Sequence, residues 1–224
     1  LSCACYAMGR SFVNGAILPT ERLRPPSRGS IVSKSSDPTS VPAADGYSAT
    51  RSTSDQTLDA EDLMTTNNVT RFLDLKRINY KAFELPAEKL GALETARLIG
   101  VEPGQVFKSI VVLRPKPGKH ILAIVPGNSE VNLKLLASAT GDKKLQLSTQ
   151  AEAEKLTGLQ TGGISPLALI NRGFQIWLDS SACSFTEIHI SGGQRGLNIR
   201  LSVDDLVLLT SARVASVSSP VPVE

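Results

Sequence analysis

Lys108 sits in Val106-Phe107-Lys108-Ser109-Ile110-Val111-Val112-Leu113, a β-branched and apolar run that predicts a strand. A lysine with such neighbours must find a polar partner, snorkel to solvent from an edge strand, or face a cleft. In a cleft its cation is suited to holding a phosphate or polarising a carbonyl. Two glycine-rich segments further along carry related chemistry. In Thr161-Gly162-Gly163-Ile164-Ser165-Pro166, paired glycines expose main-chain N–H groups and Pro166 holds Ser165 extended. Such a loop offers amides to an oxyanion, a carbonyl or a ribose, or is an ordinary connection. Ser191-Gly192-Gly193-Gln194-Arg195-Gly196 joins two apolar runs. It reads equally as a hairpin turn and as an anion-binding turn with a hydroxyl and a guanidinium.

Other chemistries are absent from the pattern. No Walker signature, dinucleotide fingerprint or metal-ligand cluster is present, so neither cofactor nor metal is expected. His120 and His189 fall on predicted strands, far apart in sequence, and are read as structural or surface residues rather than a general base. Cys3, Cys5 and Cys183 form no disulfide or zinc framework, Cys183 being read as a small buried side chain. A reducing, cytoplasmic setting is expected. No run reaches the roughly 18 apolar residues of a membrane span.

The elements that must position these residues begin near residue 65. Residues 1–64 are rich in Ser, Thr, Pro, Asp and Arg without hydrophobic period, and are expected to be a disordered extension. Their seven acidic residues argue against a targeting peptide, and Met64 is a candidate start of the protein proper. The whole chain has 224 residues and a net charge of +3; residues 65–224 hold 18 Lys+Arg and 14 Asp+Glu, giving +4. That mild basicity does not oppose a polyanionic partner and is not by itself a nucleic-acid signature.

Helical periodicity after Thr65-Thr66 predicts a first helix, then a strand over 80–85 and a helix over 91–99 stopped by Gly100. The Lys108 strand and 120–125 are predicted to form a hairpin across Pro115-Lys116-Pro117-Gly118. A helix over 132–140, a short strand over 144–148 and a helix opened by the box Thr149-Gln150-Ala151-Glu152 follow. Three strands near 174–179, 186–191 and 197–201 precede a last helix begun by Ser202. With no long parallel crossover expected, the class is α+β, a mixed, mostly antiparallel, barrel-like sheet surrounded by helices. The domain is expected to span 65–214, with 215–224 a flexible tail.

In order and spacing, Gln105-Val106-Phe107-Lys108-Ser109-Ile110, Gly162-Gly163-Ile164-Ser165-Pro166-Leu167 and Ile190-Ser191-Gly192-Gly193-Gln194-Arg195-Gly196-Leu197 resemble the YbaK/prolyl-tRNA-synthetase-associated editing domain family, from about Val69 to Ala212. The resemblance implies a trans-acting deacylase of mischarged tRNA, typically Cys-tRNA(Pro). It implies Lys108 as the principal catalytic side chain, Gly162 to Pro166 around the aminoacyl ester and terminal adenosine, and Ser191, Gly192 and Gly193 nearby. It also implies the aminoacyl-tRNA acceptor end as partner, with prolyl-tRNA synthetase a further candidate. Two positions depart from the family: Leu85 stands in place of a tyrosine, and Asn198 in place of an aspartate. Asn198 keeps hydrogen bonding at the substrate site but loses charge, which leaves the edited amino acid open.

The mechanism expected on these grounds uses no side-chain nucleophile. Lys108 and amides near Gly162 and Gly163 stabilise charge on the ester carbonyl, and water or the substrate's own thiol attacks. The rivals are another specificity, such as Ala-tRNA(Pro), and a non-catalytic binder of aminoacyl-tRNA or of a synthetase.

Overall fold

The structure, a computed structural model, describes residues 66–115 and 118–221. The extension expected over 1–64 lies outside the described residues. Helix α1 (Asn68–Lys76) opens on Asn67, whose side chain accepts from the Val69 and Thr70 amides while Thr70 returns the bond, a reciprocal box. The cap therefore falls just after the two threonines that the sequence suggests. Asn67 is favoured because its Nδ2 also donates to the Gly192 carbonyl at 2.8 Å, anchoring the helix start to a distant turn.

The local predictions largely hold. Strand β1 is Tyr80–Glu84, and α2 (Ala92–Ile99) ends on left-handed Gly100. Strands β2 (Phe107–Leu113) and β3 (Ile121–Pro126) form the predicted antiparallel hairpin. A short β4 (Ser129–Val131) follows, then α3 (Leu133–Thr140), β5 (Gln146–Leu147) and α4 (Gln150–Thr157), which carries the Thr149/Glu152 capping box. Strands β6 (Gln175–Asp179), β7 (Glu187–Ser191) and β8 (Leu197–Ser202) lead to α5 (Val203–Thr210), β9 (Arg213–Ala215) and β10 (Ser218–Pro220).

The class is α+β, with most strand pairs antiparallel. Sheet order differs from expectation at one point: β3 pairs parallel with β6, and β6 with β9, so a long crossover through α3 and α4 does exist. The five-stranded sheet β5-β2-β3-β6-β9 and the three-stranded sheet β1-β8-β7 approach through a single parallel bridge, Val106 to His189. The barrel-like arrangement is not closed, and this gap becomes the site. The chain after residue 214 also differs from the expected tail. Val217 is fully buried and β10 pairs with β4, because Asp179 Oδ2 accepts from the Val217 and Ser218 amides, each at 2.9 Å.

Packing makes the two sheets unlike. One core joins Phe107, Val111, Leu122 and Leu178 to Ile188, Ile190, Ile199 and Leu201 of the small sheet. A second core, with Val112, Val125, Leu136 and Trp177, fills the other face of the large sheet. Each fully buried Leu or Ile contributes roughly 1.5–3 kcal/mol. By strand alternation the small sheet's second face carries Lys81, Phe83, His189, Ser191, Asn198 and Arg200 instead.

Candidate active site

The gap between the sheets opens into a cavity of about 210 Å³. Its wall brings together Lys108, Gly162, Ile164, Ser191 and Asn198, contributed by three separate parts of the chain. The volume is below the roughly 300–1,000 Å³ of sites for drug-sized ligands, and suits a group of a few heavy atoms.

The cavity owes its edge to β2. Val106 O accepts from the Gly127 amide on the β3 side, whereas Val111 O accepts from the Ser148 amide on the opposite side. Backbone direction alternates along a strand, so the Ser109 N–H and C=O share the Val111 side. Among the described residues β5 pairs there with Val112 and Leu113 alone, and β7 pairs only through the Val106–His189 bridge. Among the described residues the Ser109 N–H and C=O thus have no strand partner, on a residue that lines the cavity. The Ser109 and Thr161 hydroxyls, on residues lining the same cavity, are buried without a hydrogen-bond partner. Such groups are costly unless a ligand or water meets them.

Lys108 is half-buried and no described residue hydrogen-bonds or ion-pairs with its ammonium. Burial pushes its pKa below the ordinary lysine value of 10.5, and the Glu130 charge pulls it part of the way back. It is a cation set beside a cavity with its donors unspent.

The glycine segments divide. Gly162 (φ 93°) lines the cavity, and no described group accepts from its amide. The Gly163 amide instead donates to Gln160 O at 2.8 Å, so it is not the free oxyanion donor that the sequence suggests. Gly163 is needed for space: an added Cβ would meet the Gln194 backbone at 2.8 Å. Ser165 is fully buried behind the wall, and Pro166 leads into the 3-10 turn Leu167–Leu169. In the second segment Ser191 and Gly196, at its two ends, reach the cavity. The Gly192 amide donates to Leu197 O at 2.8 Å and the Gly193 amide to Ser191 Oγ at 3.4 Å, so these two amides are engaged within the β7–β8 hairpin. Gly192 packs on Leu197 and Gly193 on Val69, and neither shapes the wall directly.

Arg195 holds the first glycine segment to the second turn. Its Nε donates to Thr161 O at 2.8 Å while Glu154 Oε1 accepts from the Thr161 amide at 2.9 Å, gripping that residue from both sides. The bond from the Thr161 amide, helped by the Arg195 charge, lowers the pKa of Glu154. Residues missed by sequence reasoning are Leu90, Gly91, Ala92 and Thr95 around the start of α2, which complete the wall with little chemical signal of their own. His189 was read as structural or surface, and it is buried, its Nδ1 2.9 Å from Asn198 Oδ1 and its ring 5.2 Å from that of Phe83. Burial lowers its pKa below 6.5, against the Asn198 bond. Leu85 lines the cavity and gives it an apolar side chain there. Among the described residues no group of three His, Cys, Asp or Glu side chains can hold a metal, and no helix is long and apolar enough to cross a membrane.

Comparison with known proteins gives a consistent result. The aminoacyl-tRNA editing domain family matches residues 88–209. The chain is 32% identical over 154 residues to EbsC of Enterococcus faecalis, whose name proposes a Cys-tRNA(Pro)/Cys-tRNA(Cys) deacylase; the match covers 68% of this chain and 93% of that protein. It is 30% identical over 106 residues to the proline–tRNA ligase of Limosilactobacillus fermentum, covering 45% of this chain and 18% of the ligase. A solved structure described as a proposed trans-editing enzyme for prolyl-tRNA synthetase superposes with a TM-score of 0.57 at 28% identity, over 69% of this chain and 98% of that one.

Proposed function

The chain belongs to the aminoacyl-tRNA editing domain family, and from that premise we propose that its substrate is Cys-tRNA(Pro), cleaved in the cavity beside Lys108. It is an aminoacyl-tRNA deacylase that acts in trans on mischarged tRNA. The observation that carries the site is the unspent Lys108 cation facing the same small cavity as Gly162 and Asn198.

In this reading water adds to the ester carbonyl, and the negative charge that develops on the carbonyl oxygen is met by Lys108 and the Gly162 amide. One such preorganised donor is worth roughly 3–4 kcal/mol. Collapse of the tetrahedral species expels the tRNA ribose oxygen, which takes up a proton. For a cysteinyl ester the substrate's own thiol is an alternative attacker. Leu85, Leu90, Ala92, Ile164 and Leu197 give the cavity an apolar wall, favouring a small, soft side chain over a charged one. Cys and Ala both satisfy that wall; the name of the Enterococcus relative favours Cys. The proposed setting is the cytoplasm. Because prolyl-tRNA ligases share the domain, a synthetase is the proposed partner for tRNA selection.

Hydrolysis rates of Cys-, Ala- and Ser-charged tRNA(Pro) test this directly. Cys-tRNA(Pro) should be cleared fastest. Faster clearance of Ala-tRNA(Pro) would reassign the specificity, and tight binding of charged tRNA with no shortening of the ester's lifetime would overturn the enzymatic reading.

A further inference from the structure

Asn198 and His189 form a buried pair that the reaction as described does not use. They stand diagonally on neighbouring strands, β7 pairing Ser191 with Asn198 and His189 with Arg200 across β8. The two side chains share the small sheet's polar face. His189 is 1% exposed and Asn198 5%, and Nδ1 lies 2.9 Å from Oδ1. An amide oxygen only accepts, so Nδ1 carries the proton. The opposite arrangement would put a proton on Nε2, which is buried with no partner. An orphaned N–H is rarer in proteins than an orphaned acceptor. With Oδ1 engaged by His189, the other end of the carboxamide is left, on a residue that lines the cavity and whose Nδ2 has no described acceptor.

We infer that His189 is a positioning residue: it locks the Asn198 carboxamide with Oδ1 toward the protein and Nδ2 toward the cavity. The site thereby presents a hydrogen-bond donor, so the substrate group met there is an acceptor, the ester carbonyl or a ribose oxygen, and not the α-ammonium of the amino acid. An aspartate at this position would present an oxygen and the opposite preference. Phe83, packed on the imidazole, holds the ring plane, and the Arg200–Glu187 ion pair at 3.1 Å borders the pair on the same face. This inference rests on the reading that the cavity receives an aminoacyl ester.

A double-mutant cycle and a spectroscopic measurement test it together. His189→Leu should lower kcat/KM about tenfold toward whichever aminoacyl-tRNA the wild type hydrolyses. It should have no further effect in an Asn198→Ala background, because the group it positions is gone. His189→Gln, which can still donate to Oδ1, should restore most of the loss. An equal loss in both backgrounds, or none in either, overturns the proposal. The ¹H–¹⁵N spectrum of the wild-type imidazole should show the Nδ1–H tautomer near neutral pH, and an Nε2–H tautomer overturns the proposal even if His189→Leu fails to fold. The tautomer is read without any turnover, and wild-type deacylation is read without the tautomer, so failure of this inference and failure of the deacylase reading are separate outcomes.

Discussion

Asp179 and Lys108 are both charged side chains at the ends of apolar strands, and the fold treats them in opposite ways. Asp179, at the end of β6, is 4% exposed and accepts from the Ser181, Val217 and Ser218 amides. Burial alone would raise its pKa, but those hydrogen bonds win and hold it below the ordinary carboxylate value. Lys108, near the start of β2, receives no such bonds, and its pKa moves in the direction burial dictates, away from the charged form. A buried charge whose hydrogen-bonding capacity is filled by the backbone builds the fold; one left open beside a cavity is kept for a ligand. In the sequence the two look alike, each a polar residue in an apolar run.

Lys108→Ala should produce the largest effect and sharpen the contrast most. Loss of the cation should lower kcat/KM by about 10²–10³, the usual cost of removing one charge-stabilising donor. The Tm should stay the same or rise slightly, since a partly desolvated cation is removed. In the wild type the protonated amine is the working form, so activity falls as pH rises through the lowered pKa, at a pH below the 10.5 of an ordinary lysine. Enzymatic rates measured against pH, with uncatalysed ester hydrolysis subtracted, check this. A plateau persisting beyond 10.5 would show that the charge of Lys108 is not what matters.

Asp179→Ala should do the reverse, leaving kcat/KM of the folded protein near wild type while lowering stability by about 2–4 kcal/mol through amides left unsatisfied. For a domain of this size that is a fall in Tm of roughly 5–15 °C. The sign of the pH dependence follows from the depressed pKa. Asp179 contributes its stability above the unfolded value of about 3.8, and loses it as pH falls through the lower folded value. Melting curves of wild type and variant should therefore converge in acid. Curves that stay equally far apart down to the lowest accessible pH would mean that packing, not the carboxylate, holds the end of the chain.

The same distinction explains which parts of this molecule were legible in its sequence. The β2–β3 and β7–β8 hairpins, the Thr149/Glu152 capping box and the Gly100 stop are local, each readable within a few residues. The β3–β6 and β6–β9 pairings and the three-residue strands β4, β9 and β10 were not, because their partners are distant and their own signal is short. At the site, residue types pointed to Lys108, Gly162, Ile164 and Ser191, the family resemblance added Asn198, and all five share one cavity. Sequence could not tell that the Gly163 and Gly192 amides are already spent on Gln160 and Leu197, since a glycine advertises backbone freedom and not what its N–H has found. Nor could it tell that His189 meets Asn198, a contact set by strand register.

Arg195 offers the finest test of the contrast, because it is a cation beside the cavity whose role is of the Asp179 kind. Its Nε is committed to Thr161 O at 2.8 Å, and its charge faces Glu154, which holds the Thr161 amide. It therefore positions the loop that carries Gly162 and is not needed at the reacting ester. Arg195→Ala should raise KM about three- to fivefold with kcat little changed, a loss near 1 kcal/mol, as expected for a partly solvated ionic contact. Steady-state kinetics on the same aminoacyl-tRNA used for Lys108→Ala make the two directly comparable. If Arg195→Ala instead lowers kcat by as much as Lys108→Ala, its guanidinium reaches the substrate despite its bond to Thr161. A hydrogen bond to the backbone would then no longer separate the cations that hold this fold from the one that works in its cavity.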